Sequence, residues 1–347
     1  MVIGLKDLSN ANEGTWTLKK GVHKGTILDV SESGFDAGGA AFASVFCDQE
    51  NPDTIYLFYT GGADTALSRA GIGLAISSDG LRFQKLTDLN PLLEYDESNG
   101  RAMTPAVFRV GCYFYMVYAR NLPGQGAIFM SYASDPKGPW HHIREIARPE
   151  HSWEQKHIDI GPSVVRLTED EVLVYYSNVP GTLRAKFLQR CLFGSKHPLR
   201  RIGMLRIRIR SPSNLEIFKF EGNPLGHLNG PEGSWNESLF CPGYLRLGDV
   251  HYLLPATSTY SAGFPYRQYI GLAIDSSPYF QRPESMRILV DGPREKDRIL
   301  PGIRSEIALD TPCPVVRGHK LYLSYAAMDR DNGVWRTVLT IFPLLNE

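Results

Sequence analysis

A short β-rich segment recurs five times along the chain. A repeat constrains a fold more tightly than any single motif, because each copy must bury its apolar face against its neighbours. The copies are Phe42-Ala-Ser-Val-Phe46, Thr104-Pro-Ala-Val-Phe108, Gly161-Pro-Ser-Val-Val165, Cys241-Pro-Gly-Tyr-Leu245 and Cys313-Pro-Val-Val316. Each is followed by a second run dense in Tyr and aliphatic residues: Ile55–Tyr59, Tyr113–Tyr118, Val172–Tyr176, His251–Leu254 and Leu321–Tyr325. Turn residues such as Val110-Gly111, Glu169-Asp170, Gly248-Asp249 and Gly318-His319 separate the two runs, which makes each pair a hairpin. A third run follows each time: Gly71–Ile76, Ala127–Tyr132, Met204–Ile209, Tyr269–Ile274 and Arg336–Phe342.

Successive copies start about 57–80 residues apart, room for a four-stranded sheet with loops. Seventeen Tyr and 16 Phe suit strands, and 33 Gly with 23 Pro supply the turns. Five antiparallel sheets with no helices between them predict an all-β, five-bladed β-propeller. Its blades begin near residues 36, 101, 157, 236 and 305 of a single domain over residues 1–347. The fifth copy runs out after its third strand, so Thr15-Trp-Thr-Leu18 is expected to supply the outer strand and close the ring. A β-sandwich of repeated hairpins is the alternative.

The charge balance, 37 basic against 37 acidic residues, gives no chain-wide pull toward nucleic acid or an acidic membrane. No run of about 18 apolar residues occurs, and the first residues lack the apolar core of a signal peptide, so a cytoplasmic protein is expected. Cys47, Cys112, Cys191, Cys241 and Cys313 are odd in number and form no CxxC pair, which excludes a zinc ribbon or thioredoxin motif. Nine histidines form no HExxH or His-x-His spacing, and GxSxG, Walker and GxGxxG motifs are absent, so no metal or nucleotide cofactor is expected. A basic insertion over 183–203 interrupts the third copy, and basic residues continue from Arg184 to Arg210. Its first part has helical spacing; its end, Leu205-Arg-Ile-Arg-Ile-Arg210, alternates like the solvated face of a strand.

The first strand of a blade lines the central channel, and the residues before it form one mouth. Four of these approaches carry acids: Asp36, Asp159, Glu237, and the pair Glu306 and Asp310. The second blade is approached through Arg101 instead. Converging carboxylates shift one another's pKa through like charge and burial, which holds one acid protonated while another stays ionised. Glycoside hydrolysis needs such a pair, one to protonate the leaving oxygen and one to activate water or attack the sugar. Trp153, Trp235 and Tyr260 lie near these approaches, where an aromatic face can stack on a sugar ring. His157, two residues before Asp159, is within reach of the same mouth, as are Arg101, Glu306 and Asp310, so these join Trp235 as candidate substrate contacts.

Five repeats with acids at the mouth resemble the five-bladed propeller glycoside hydrolases, closest to glycoside hydrolase family 43. That resemblance implies Asp36 as general base, Asp159 as the acid that tunes its partners' pKa, and Glu237 as general acid. It implies inverting hydrolysis of a furanoside or pentose-containing glycan, a carbohydrate partner, and, in some relatives, a calcium ion in the channel. The family places its first Asp directly before a proline, whereas Asp36 lies in Phe-Asp-Ala-Gly-Gly. A retaining β-fructofuranosidase-like enzyme, a phosphorolytic propeller and a propeller that binds glycan or protein without turnover are the alternatives.

Overall fold

The structure, a computed structural model, describes residues 16–18, 20–98, 100–122, 125–179, 200–258, 268–291, 306–329 and 332–346. The helical part of the basic insertion, Cys191, Tyr260 and the side chain of Glu306 lie outside the described residues. Among those described there is no α-helix, only strands and two single-turn 3-10 segments. None, accordingly, is a helix long and apolar enough to cross a membrane.

Strands β1 (Trp16–Leu18) and β2 (Val22–Leu28) open the chain. Four antiparallel quartets follow. The first is β3 (Gly39–Cys47), β4 (Ile55–Gly62), β5 (Gly71–Ser77) and β6 (Gln84–Lys85). The second is β7 (Arg101–Val110), β8 (Tyr113–Leu122), β9 (Gln125–Ala133) and β10 (His141–Ala147). The third is β11 (His157–Arg166), β12 (Glu171–Val179), β13 (Ile202–Ser211) and β14 (Asn214–Lys219). The fourth is β15 (Ser238–Leu247), β16 (Val250–Ser258), β17 (Gln268–Asp275) and β18 (Arg287–Asp291).

The chain ends in β19 (Glu306–Arg317), β20 (Lys320–Asp329) and β21 (Trp335–Asn346), and here its start supplies the fourth strand. Val22 lies opposite Ile341 and Leu28 opposite Thr337; Trp16 continues the same edge opposite Asn346. The sequence expectation had named Thr15–Leu18 as this strand. Most of the edge is instead Val22–Leu28, whose Ile27 and Leu28 are buried in the core.

The first strands contact one another in order: β3 on β7, β7 on β11, β11 on β15, β15 on β19, and β19 on β3. Their approach is close. A Cβ on Gly161 would stand 2.2 Å from the Pro242 carbonyl oxygen, and one on Gly243 2.0 Å from that of Pro312, so only glycine fits at either position. Second strands such as β4 are buried on both faces, which is why they read as unbroken apolar runs.

Every first strand also carries a bulge at the same level, between Ala41 and Ser44, Met103 and Ala106, Ile160 and Val164, Phe240 and Gly243, and Asp310 and Cys313. A bulge re-aims the side chains beside it. In four of the five a non-glycine residue takes positive φ there: Phe42, Thr104, Cys241 and Thr311. On the second strands a small residue follows a buried Tyr, or Pro in the fourth unit, and it sets the register. Thr60 faces Ala41, Ala119 faces Met103, Ser177 faces Asp159, Ala256 faces Phe240, and Ala326 faces Asp310. The basic tail of the insertion is a strand face, as its alternation predicted: Arg206 and Arg208 pair with Glu171, and Arg208 and Arg210 with Glu216.

Candidate active site

The five first-strand positions opposite these small residues, Ala41, Met103, Asp159, Phe240 and Asp310, are equivalent by register, and two of them carry acids. Asp159 comes from the third unit and Asp310 from the fifth, flanking Phe240 of the fourth. The hydroxyl of Thr104, held at positive φ in the second unit, donates to Asp159 Oδ1. The Thr311 backbone N–H donates to Asp310 Oδ1 at 2.7 Å and its hydroxyl at 3.1 Å. Burial, then the charge of Asp159, pushes the Asp310 pKa up against the pull of Arg200 and Thr311.

Arg200 was not singled out in the sequence. Its guanidinium lies 4.1 Å from the Phe240 ring centroid, bonds the Asn178 carbonyl at 3.1 Å, and points toward the Ser177 hydroxyl at 3.5 Å and Cys241 Sγ at 3.7 Å. Burial carries the Cys241 thiol well above its usual range, with Asp310 and Asp159 adding to it, so it stays protonated and is no nucleophile. Only a register argument finds Arg200, because its position just before β13 is hidden in a basic stretch.

Glu237 lies on the wall of this region. The Asn229 side-chain amide donates to the carbonyls of both Arg200 and Glu237, at 3.0 and 2.8 Å. The Glu237 side chain is buried and accepts from the Gly233 N–H at 3.1 Å. His157 opens β11 two residues before Asp159. Burial and Arg101 hold its imidazole below the ordinary value, against the opposing charge of Asp159, so it is neutral near pH 7. Arg101 opens β7 and donates to the Leu67 carbonyl at 3.4 Å. Glu306 opens β19 opposite Asp329. Trp153 and Trp235 are half-buried and pack on neighbouring rings: the first lies on Tyr176 with ring centroids 5.6 Å apart, the second on Tyr269 at 6.0 Å.

Asp36 is placed elsewhere. It is buried, accepts from the Tyr59 hydroxyl at 2.9 Å, and forms an ion pair with Lys85 at 2.6 Å. Asn90 donates to the same Tyr59 oxygen at 3.2 Å and caps Leu74 N–H at 2.8 Å. The third unit repeats this arrangement group for group. Glu154 accepts from Tyr176 at 2.5 Å and pairs with Lys219 at 2.9 Å, while Asn223 reaches Tyr176 at 3.3 Å and Met204 N–H at 2.8 Å. Asp36 is therefore one copy of a clasp that ties each approach segment to its own second and fourth strands. Its hydrogen-bond and ion-pair partners are Tyr59 and Lys85, and among the described residues it makes no such contact with Asp159, Asp310 or Arg200.

Among the described residues five buried side-chain polar atoms lack a partner, and four lie at this end of the strands: Asn121 Oδ1, Asn229 Oδ1, Thr257 Oγ1 and Ser258 Oγ. Thr257 and Ser258 face Leu239 and Ser238, and Asn121 faces Arg101. Each such atom costs about 1–3 kcal/mol while it goes unbonded. Among the described residues no three His, Cys, Asp or Glu side chains gather to hold a metal.

No family model matches the sequence, and no curated protein does. The fold has many solved relatives. A thermostable family-43 glycoside hydrolase superposes with a TM-score of 0.59 at 14% identity, covering 89% of this chain and 93% of that one. A glycosyl hydrolase from Bacteroides ovatus gives 0.61 at 12% identity, covering 95% and 93%. The α-L-arabinofuranosidase from Podospora anserina, in complex with cellotriose, gives 0.57 at 14% identity, covering 94% and 97%. At such identities the likeness is one of fold, and the fold is that of the β-propeller glycosidases.

Proposed function

We propose that this chain is a glycoside hydrolase built as a five-bladed propeller, its ring closed by the amino-terminal strand, with Asp159 and Asp310 as the reacting carboxylates. The observation that carries the reading is the register: two of five equivalent positions at one mouth hold acids, and the charge of Asp159 adds to the burial that raises the pKa of Asp310. Asp310, pushed toward its protonated form by burial, gives its proton to the leaving oxygen. Asp159, fixed by Thr104, takes a proton from the attacking water, which inverts the anomeric centre. Arg200 balances the negative charge between them, and Glu237 is a third acid on the wall. The substrate is a furanoside or pentose-containing glycan, in line with the arabinanases and arabinofuranosidases that share the fold.

The test is sugar release from arabinan, xylan, fructan and nitrophenyl glycosides by wild type beside Asp159→Asn, Asp310→Asn, Glu237→Gln and Asp36→Asn. Loss of about 10²–10⁴-fold in the first two, with turnover per folded molecule kept in Asp36→Asn, supports the assignment. Full turnover in Asp159→Asn and Asp310→Asn, with loss in folded Asp36→Asn and Glu237→Gln, moves catalysis to the latter pair. Proton NMR of the first-formed anomer decides between inversion and retention. No turnover on any glycan leaves a propeller that only binds.

A further inference from the structure

Of the five equivalent mouth positions, those of the third and fifth units hold the acids Asp159 and Asp310, which flank the buried Phe240 of the fourth with Arg200 over its ring. The positions of the first and second units hold Ala41 and Met103, both buried. On them sits Trp335, the first residue of β21, in an apolar cluster with Phe42, Leu67, Ala70 and Ala326. The Trp335 and Phe42 rings have centroids 4.8 Å apart. Ala326 is the register partner of Asp310, so this cluster reaches the acid itself. Trp335 is half-buried: it is packed below and retains open surface.

We propose that Trp335, backed by Phe42 and Met103, is the platform on which the apolar C–H face of the substrate's sugar ring lies, which makes it a specificity-determining residue of the hydrolysis proposed above, on which this inference rests. A sugar ring is two-sided. Its C–H face is apolar and prefers an aromatic surface, while its hydroxyls and glycosidic oxygen need hydrogen-bonding groups. The mouth offers both, with the aromatic wall meeting the reacting acid at Ala326. The two tryptophans that the sequence put forward lie on Tyr176 and Tyr269 of the third and fourth units, whereas Trp335 packs in the cluster that holds Ala326, the register partner of Asp310. The site therefore selects a neutral sugar with a continuous C–H face, and a sugar that breaks that face with an axial hydroxyl is disfavoured.

The experiment measures Kd by calorimetry for arabino-, xylo- and fructo-oligosaccharides, and kcat and KM on whichever is hydrolysed. Wild type is compared with Trp335→Ala, Trp335→Phe, Trp153→Phe and Asp310→Asn. Trp335→Ala is expected to raise KM and Kd roughly tenfold or more with kcat changed only a few-fold, a loss of about 1.4 kcal/mol. Trp335→Phe should lose less, and Asp310→Asn should lose kcat while still binding. Sugar-induced change in tryptophan emission should vanish in Trp335→Phe and persist in Trp153→Phe, a reading that holds even where the alanine variant fails to fold. Wild-type affinity in folded Trp335→Ala, or an emission change that survives in Trp335→Phe, overturns the platform and leaves the hydrolase standing if Asp310→Asn is inactive. A wild type that binds and cleaves none of these sugars takes down both.

Discussion

Asp36 stands in the sequence surroundings of Glu154 rather than of Asp159, and the molecule uses the two aspartates in different ways. Phe35-Asp36 precedes Ala41 by the same interval at which Trp153-Glu154 precedes Asp159. Each of the two pairs has a later Asn-Pro, at Asn90 and Asn223, that completes its clasp. The equivalence of Asp36 with Glu154 was thus legible as a second repeat within the first, but a search for mouth acids alone passes over it. Removing one partner of a buried pair leaves the other uncompensated, so Asp36→Asn and Glu154→Gln should each cost about 3–5 kcal/mol in chemical denaturation. For Glu154 burial opposes ionisation, yet the N–H groups of Glu150 and His151, the Tyr176 hydroxyl and Lys219 together hold its pKa below the ordinary value. Its contribution is therefore present above the unfolded carboxyl pKa of about 4.3 and is lost as pH falls through the lower folded value. A wild-type melting temperature that declines no faster with acid than that of Glu154→Gln would contradict this.

Asp310 runs the other way. Its folded pKa is raised, so above the unfolded value folding must either bury its charge or take up a proton, and that penalty fades as pH drops below the unfolded value. Asp310→Asn should accordingly melt higher than wild type at pH 7 and converge with it near pH 3.5, while losing turnover. That is the trade expected where a site buries a carboxyl group for chemistry. Equal melting temperatures at pH 7 would show that the carboxylate is fully compensated in the fold.

At the level of the elements, the repeats read from the sequence became strands with little error, because apolar runs, hairpin turns and proline positions all agreed. The register did not follow from them. The third bulge takes one residue more than the others, so Asp159 rather than Ile160 falls level with Ala41, Met103, Phe240 and Asp310. Hydrophobic pattern alone does not count residues inside a bulge. The same crowding gives a sharp prediction. Gly161→Ala and Gly243→Ala both drive a Cβ onto a proline carbonyl of the next first strand, with no flexible side chain to yield. Each should destabilise by at least the roughly 1–3 kcal/mol of ordinary overpacking. The alanine at Gly111, a turn glycine with open space around its Cβ but φ of +59°, should cost only its backbone strain of about 1 kcal/mol. Urea midpoints in the order Gly111→Ala above Gly161→Ala and Gly243→Ala would support close contact between first strands; the reverse order would deny it.

For the whole molecule, the question is how the last unit obtains its fourth strand. Without β1 and β2, β21 from Thr337 onward would be an exposed edge beside a three-stranded unit. The edge is not evenly stabilised. Val22–Leu28 contributes Ile27 and Leu28 to the core cluster shared with Leu57, Tyr59 and Leu339, which ties the start of the chain to both the last and the first units. Trp16–Leu18 adds three paired residues at the far end of β21. Burial of two large aliphatic side chains stabilises by about 1.5–3 kcal/mol each, besides the backbone bonds. Removing residues 1–20 should therefore lower the melting temperature modestly and leave a soluble protein. Removing residues 1–28 should abolish cooperative unfolding or cause aggregation through the bare edge. A circular permutant that carries residues 20–30 after residue 347 through a flexible linker should restore both. A soluble, cooperatively folding protein lacking residues 1–28 would mean that the two chain ends do not close the ring, and that the first and last units are held by the parallel contact of Trp335 and Arg336 with Gly39 and Ala40 instead.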